Sequence, residues 1–369
     1  MFKIQGKYNT AKIFTDNVEN AVTTQIYNML NLEFIKGSNI CIMPDVHSGK
    51  GCMVGTTLTI TDKIVPEWLG VDIGCGMETA KLKETNIDLS KLDEAIHRYI
   101  PAGFNIRKVS HSHADKLDLN QLRCAKHMDL GRALKSVGTL GGGNHFIELS
   151  KSDDENGALW LVVHSGSRGL GNQAAEYYQT KAAKYTREKR VGNSSVGYLD
   201  GKLFDDYVHD VAILQQYASL NRKTIIAELE KQVGFRVVES FATVHNFIDM
   251  EKMIMRKGAI SAKEGEKVII PMNMRDGSLL CVGKGNPDWN YSAPHGAGRL
   301  MSRTEARSKI SLSEFEEAME GIYSSTVGKK TLDEAPFAYK PMEEIISHIG
   351  DTVDIITTLR PLYNFKSLK

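Results

Sequence analysis

An α+β fold with mixed β-sheets at its centre is what the sequence predicts, on three observations. Short apolar runs bounded by glycine and polar residues alternate with longer amphipathic segments, so sheets rather than a helical bundle form the middle. No internal repeat, low-complexity tract or Pro/Ser-rich linker interrupts the 369 residues, so 1–369 reads as one catalytic domain. No run of about 18 apolar residues occurs, which leaves no membrane-spanning helix.

Strands are expected at Cys52–Ile60 (CMVGTTLTI), His145–Leu149 (HFIEL), Leu159–Val163 (LWLVV), Val268–Met272 (VIIPM) and Ser278–Val282 (SLLCV). Each run is short and mostly apolar, as a half-buried or fully buried strand requires. Helices are expected to begin at Ser90, where Ser90 and Asp93 form a capping-box pattern, at Asn172 and near Phe204. The last is long and carries YVHDVAILQQYASLNRKTIIAELEKQV; a further helix fits LSEFEEAMEGIY, Leu312–Tyr323.

Hydrophobic residues at 41% and charged residues at 25% give a globular chain with a real core. Lys plus Arg is 46 and Asp plus Glu 45, so the net charge is +1 and no global field draws the protein to nucleic acid or membrane. A polyanion partner must be held by a local patch. The five cysteines, Cys41, Cys52, Cys75, Cys124 and Cys281, are odd in number and contain no CxxC, which argues against a disulfide framework or zinc ribbon. MFKIQGKYNTAKIF at the start lacks the apolar core of a signal peptide, so a reducing cytoplasm is the expected location.

The eleven histidines fall into two groups. His97, His111, His113, His127, His209 and His348 lie in charged or helical stretches and read as surface or ordinary packing. The other five sit at glycine-rich strand ends: His47 in MPDVHSGKG, His145 in GGGNHFIEL, His164 in LVVHSGSRGLG, His245 in ATVHNFID and His295 in APHGAGR. Loops at strand ends are where rigid scaffolds present chemistry. GVDIGCGM adds Asp72 and Cys75, with glycines that let the backbone turn so that carboxylate and thiolate converge. Asp, Cys and several His make a mixed hard and soft ligand set, suited to Mn²⁺, Zn²⁺, Co²⁺ or Fe²⁺ rather than Mg²⁺ or Ca²⁺. The set exceeds what one tetrahedral site uses, so two metals are expected.

Other patterns in the chain compete with this reading. GLGNQA, Gly169–Ala174, imitates a dinucleotide fingerprint, but VGNSSVGYLDG stands where the acidic-ended second strand is required. HSGSRG is not G-x-S-x-G and no G-x-x-x-x-G-K-[ST] occurs, which excludes a nucleophile elbow and a P-loop. The amides of Ser165–Gly171 ahead of a helix, with Arg168 among them, form a candidate anion cradle. YSAPHGAGRLMSR, Tyr291–Arg303, sets His295 beside small residues that a ligand can approach closely, with Arg299 just after.

Six blocks, PDVHSGKG, GVDIGCGM, GGGNHFIEL, HSGSRGLG, HNF and HGAGR, occur in the order found in the RtcB family of RNA ligases. The chain resembles that family from about Met43 to Lys366. Such ligases join a 3′-phosphate or 2′,3′-cyclic phosphate end of RNA to a 5′-hydroxyl end. The resemblance implies an RtcB-like fold around a dinuclear centre, two Mn²⁺, and GTP as cosubstrate. It makes Asp72, Cys75, His145, His164 and His245 the metal ligands. Cys75 is the implied bridge, with Asp72 and His145 completing one metal and His164 and His245 the other. His295 is the implied nucleophile that takes GMP from GTP, with Asp45, Arg168 and Arg299 as further catalytic residues. The implied nucleotide contacts are Asn144, His145, Phe146, Ile147 and Glu148; His245 and Asn246; Pro271, Met272, Asn273, Met274 and Ser278; His295, Gly296, Ala297 and Gly298; and Tyr339 and Lys366.

The expected activity is therefore GTP- and Mn-dependent RNA joining through a histidine–GMP intermediate and a GMP-capped RNA 3′ end, in RNA repair or tRNA splicing. A carboxylate at Glu148 can accept from guanine N1–H and the 2-amino group together, and adenine offers neither donor. The alternatives are a metal-dependent RNA-end phosphoesterase or cyclic phosphodiesterase without ligation, and a non-enzymatic RNA-end-binding protein. Two departures mark a divergent branch. PMNMRDGS, Pro271–Ser278, replaces the family's Gly-Ser-Met-Gly loop, and Pro294 precedes the nucleophile where serine is common. The natural RNA, the need for an activating protein partner and the oligomeric state are not readable from the sequence.

Overall fold

Runs that are apolar at every position must bury both faces, and they become the inner strands of a seven-stranded sheet. In the computed structural model, which describes residues 1–154, 156–188 and 196–367, Leu159–Ser165 is buried along its whole length. The spatial order is Val237–Val244, Gly76–Leu82, Leu159–Ser165, Phe146–Ser152, Val353–Lys366, Gly277–Gly283, Lys267–Asn273. All its neighbours pair antiparallel. At the edge, Val237–Val244 alternates half-buried with exposed residues, as a one-sided strand should. A six-stranded sheet runs Phe2–Gln5, Thr10–Ile13, Ile40–His47, Val54–Thr59, Ile254–Lys257, Asn246–Asp249. Its one parallel pair is Thr10–Ile13 with Ile40–His47. The α+β class with sheets at the centre is thus as expected from the sequence.

The helix Gly201–Val233 ties two cores together. Over 33 residues it is roughly 50 Å long at ~1.5 Å per residue. Tyr207, Val211, Leu214 and Tyr217 pack into the core beside the six-stranded sheet, and Ile225, Ile226, Leu229 and Val233 into the core on the seven-stranded sheet. Gly234, left-handed at φ 91°, ends it.

Element boundaries moved for local reasons. The helix expected from Ser90 is Leu89–Tyr99, capped by Asp88, whose carboxylate accepts from the Lys91 amide. Asp93 instead takes hydrogen bonds from Ser325 Oγ (2.6 Å) and Tyr363 OH (2.7 Å). The helix expected at Asn172 begins at Arg168, and the one near Phe204 begins at Gly201. The segment from Leu312 forms a helix only to Ala318, with a full capping box between Ser311 and Glu314. Of VGNSSVGYLDG, residues 191–195 lie outside the described residues. No helix among the described residues is long and apolar enough to cross a membrane.

Candidate active site

The strand order gathers the five strand-end histidines at one place. Asp45 and His47 lie at the end of Ile40–His47, Asn144 and His145 just before Phe146–Ser152, and His164 near the end of Leu159–Ser165. Asp72–Cys75 leads into Gly76–Leu82, and His295 follows Ser292–Pro294 directly. His245 stands between Val237–Val244 of one sheet and Asn246–Asp249 of the other, so it marks their junction. The turn that aims Cys75 needs Gly74, at φ 75°, where a β-carbon would also come within 3.0 Å of the long helix at Gln215 Cα.

Donor atoms converge there. Cys75 Sγ lies 3.5 Å from His145 Nε2 and 3.3 Å from His164 Nε2. His164 Nε2 is 3.4 Å from His245 Nε2, and His145 Nε2 is 3.0 Å from Asp72 Oδ2. The far ring nitrogens of His145 and His164 face carbonyls, Nδ1 to Leu140 O at 2.9 Å and Nδ1 to Asn144 O at 3.2 Å. A carbonyl only accepts, so each Nδ1 carries the proton and each Nε2 presents a lone pair inward. Lone pairs from two rings, a sulfur and a carboxylate then meet with too few protons to pair them. That donor set fits a divalent cation, and Cys75, His145 and His164 by themselves satisfy the spacing of a metal-binding group.

Electrostatics agree with this fit. Burial, then the Asp72 carboxylate, push the Cys75 thiol well above its usual value, so it becomes a thiolate only beside a cation. Burial, then the charges of neighbouring histidines, hold His164 and His245 well below the usual imidazole range, the neutral form a ligand needs. Burial opposes ionisation of Asp72, but the His145 contact and the Arg168 charge hold its carboxyl below the ordinary range.

His295 is placed beside this cluster. Its Nδ1 lies 2.6 Å from Asp45 Oδ2, and the same oxygen accepts from the His295 amide (3.0 Å) and the Gly296 amide (3.2 Å). Asp45 is completely buried. Gly298, at φ 76°, packs so closely on Asp45 that a β-carbon would come 2.5 Å from its carbonyl oxygen. The His295 ring is 5.0 Å from the His245 ring, and both residues line the adjoining cavity.

A cavity of about 240 Å³ opens beside these two rings. Most residues implied as nucleotide contacts line it: Asn144, Phe146, Glu148, His245, Pro271 through Met274, His295 through Gly298, Tyr339 and Lys366. Glu148 is buried, with Oε1 accepting from Ser150 Oγ and Oε2 from Asn364 Nδ2, each at 2.8 Å. Burial pushes its carboxyl up to about 7, against those two hydrogen bonds and the Lys366 charge. Antiparallel register explains the partners: Asn364 is opposite Glu148, and Lys366 is opposite Phe146. Lys366 Nζ sits 4.9 Å from the Phe146 ring centre and 2.8 Å from Glu334 Oε2. Tyr339 donates its hydroxyl to the same Glu334 oxygen at 2.7 Å.

Some expected contacts fall elsewhere. Ile147 points away from the cavity into the core with Leu149 and Leu161, because strand alternation sends Phe146 and Glu148 to the other face. Ser278 is buried off the cavity wall with its Oγ unpartnered. Asn246 braces backbone: its Oδ1 accepts from Gly258 N at 3.0 Å and its Nδ2 lies 3.4 Å from Asp72 O. The anion cradle at Ser165–Gly171 already holds an anion of the chain itself, since Ser167 N donates to Asp72 Oδ1 at 2.9 Å. Arg168, at φ 56°, lies across Gly141 with Nη1 3.3 Å from His145 Nδ1, outside the cavity lining. Arg299 does line the cavity, with its guanidinium hydrogen-bonded to Met301 O (3.1 Å), Tyr339 OH (3.2 Å) and Asp333 O (2.6 Å), so it braces the Tyr339 wall. In the divergent loop, Asn273 Nδ2 donates to Asp276 Oδ2 at 2.7 Å and Arg275 pairs with Asp276 at 2.7 Å.

The site also holds residues to which the sequence reading assigned no role. His47 lines the cavity, its ring 6.4 Å from that of His295, and burial holds it down to about 4. Glu334, Arg303 and Asn364 complete the wall. Behind the cluster, Arg222 of the long helix is fully buried and its Nη1 donates to Gly74 O (2.7 Å) and Ser165 O (2.9 Å). It thereby fastens the backbone beside Cys75 to the backbone beside His164. Only the strand-end position of His47 carried a signal; the others sit in ordinary helical or strand sequence.

The fold and this site define an α+β protein with a Cys/His/Asp cluster fitted for a cation, next to a cavity holding a carboxylate-anchored histidine. The family model described as tRNA-splicing ligase RtcB matches residues 25–128 and 107–367. Two Escherichia coli proteins, RNA-splicing ligase RtcB1 and RNA-splicing ligase RtcB, are each 32% identical, with 93% of this chain and 93% of either relative covered. The tRNA-splicing ligase RtcB of Nanoarchaeum equitans is 25% identical over 96% of this chain and 93% of its own length. The chain belongs to the RtcB family.

Proposed function

We propose that the protein is an RNA ligase that joins a 3′-phosphate or 2′,3′-cyclic phosphate end to a 5′-hydroxyl end, using GTP and Mn²⁺, as one catalytic domain. The observation that carries this reading is His295: its Nδ1 is anchored by a buried carboxylate, and it lines a cavity that His164 and His245 of the ligand cluster also line. Asp72, Cys75, His145, His164 and His245 would hold two Mn²⁺, which would offset charge on phosphate oxygens. Nε2 of His295 attacks the α-phosphorus of GTP, a P–N bond forms, and the P–O bond to pyrophosphate breaks. Asp45 holds the ring in the tautomer that keeps Nε2 unprotonated and stabilises the positive charge that attack creates. The RNA 3′-phosphate then takes GMP from the histidine, and the 5′-hydroxyl displaces GMP to close the phosphodiester. A cyclic phosphate is first hydrolysed to the 3′-phosphate.

Glu148 reads the guanine edge with lone pairs that Ser150 and Asn364 do not use, and Tyr339 and Lys366 bound the same cavity. The names of the family's relatives support RNA splicing as the context. The test is intact mass after mixing with GTP and Mn²⁺, then with RNA carrying the two end types. A gain of one GMP, absent in His295→Ala, followed by RNA joining is the expected result. Opening of the cyclic phosphate with no adduct would replace this reading with a phosphodiesterase.

A further inference from the structure

We propose that Phe104 is a stacking platform for a base of the single-stranded RNA end, on a basic surface next to the ligand cluster. This rests on the RNA-ligase reading and adds where the RNA is gripped. Phe104 is 90% exposed, so its ring face is open to a stacking partner.

The loop beneath it is fastened. Gly103 N donates to Gly141 O at 2.8 Å, Arg132 Nη2 to Phe104 O at 2.9 Å, and Arg107 N to Lys135 O at 3.0 Å. A β-carbon on Gly142 would touch Gly103 Cα at 3.8 Å. The partner segment continues from Leu140, whose carbonyl holds His145, through Gly141 to the exposed Asn144 on the cavity wall. The loop that carries the ring is therefore fastened to the same backbone that aims a metal ligand, so little backbone ordering is left to do when a base arrives.

Charge selects the partner. The chain carries a net +1, yet Arg98 to Lys135 holds eight Lys or Arg against three Asp. Lys108, Arg132 and Lys135 are exposed there. An aromatic face among cations is the arrangement that binds single-stranded nucleic acid, stacking a base while cations meet phosphates. A protein-binding hot spot would instead centre on a larger apolar patch.

The experiment uses the full chain and a short single-stranded RNA with a 3′-phosphate and 2-aminopurine near that end. Quenching of the fluorescent base reports stacking, and the titration gives affinity. Phe104→Ala is expected to abolish the quench and weaken binding about ten- to a hundredfold. Phe104→Trp should keep both, and GMP adduct formation without RNA should not change, because Phe104 lies outside the cavity lining. Affinity and quench unchanged in Phe104→Ala would overturn the proposal, whether or not RNA ends are joined. Phe104-dependent binding by a wild-type protein that joins nothing would keep the platform and overturn the ligase reading.

Discussion

Replacing Asp45 with asparagine separates charge from shape at the proposed nucleophile. One carboxylate oxygen receives the His295 ring and two amides at 2.6, 3.0 and 3.2 Å. An amide oxygen in the same place can accept all three, so the ring keeps its position and tautomer. What disappears is a full negative charge behind a ring that becomes positive as Nε2 attacks. With charge centres about 4 Å apart and an effective dielectric constant of about 20, the attraction is about 4 kcal/mol. At about 1.4 kcal/mol per tenfold, that is about a thousandfold in rate. The amide dipole restores part of it, so a loss of about 10²- to 10³-fold is expected in Asp45→Asn. The assay is single-turnover formation of the GMP adduct at saturating GTP and Mn²⁺, followed by intact mass. Bound metal and thermal midpoint are measured in parallel to show that the site and fold survive. A rate within about fivefold of wild type, a difference of about 1 kcal/mol, would mean that Asp45 only packs and that the attacking atom is not this imidazole.

Three further substitutions, and the pH dependence tied to one of them, have expected outcomes. Cys75→Ala should lose bound Mn²⁺, measured by dialysis and elemental analysis, and chelator should lower the melting temperature of wild type but not of the variant. Glu148→Gln should weaken adduct formation with GTP by about 2–5 kcal/mol and reduce discrimination against ATP. Glu148 also sets a pH dependence: it accepts two guanine donors only when ionised, so GTP preference should rise as pH increases through about 7. Stability runs the other way. The folded state holds the proton to about 7 and the unfolded chain releases it near 4.5, so stability falls as pH rises across that window, and Glu148→Gln should flatten the fall in urea titrations. Arg222→Met leaves the carbonyls of Gly74 and Ser165 without their donor, and the midpoint should drop by the equivalent of about 2–5 kcal/mol together with metal affinity.

The ligand cluster was legible because its chemistry demanded unusual sequence. Imidazoles, a thiol and a carboxylate that must converge without side-chain crowding need glycine around them, and that flanking marked His145, His164, Cys75 and His295. Arg222 was not legible, since RKT inside a long amphipathic helix is the sequence of any such helix, and only the fold shows that this face lies under Gly74. Asn364 and Lys366 depend on which strand neighbours Phe146–Ser152, a long-range pairing that no local pattern encodes. Ile147 was drawn in with its motif, although the period of two along a strand already assigns it to the opposite face from Glu148. Ser90 looked like a cap because Asp93 follows at the right distance. Asp88, two residues earlier, captured the helix end, and Asp93 was left to tie Ser325 and Tyr363 across the fold.

The strand Val353–Lys366 is threaded between Phe146–Ser152 and Gly277–Gly283, both of which precede it in the sequence. During synthesis those two strands therefore each wait with an open edge until Val353–Lys366 emerges, and an open edge is a template for wrong pairing. The same order governs the cavity. Lys366 and Asn364 arrive with this strand, so the cavity wall closes only once Val353–Lys366 has paired between its two neighbours.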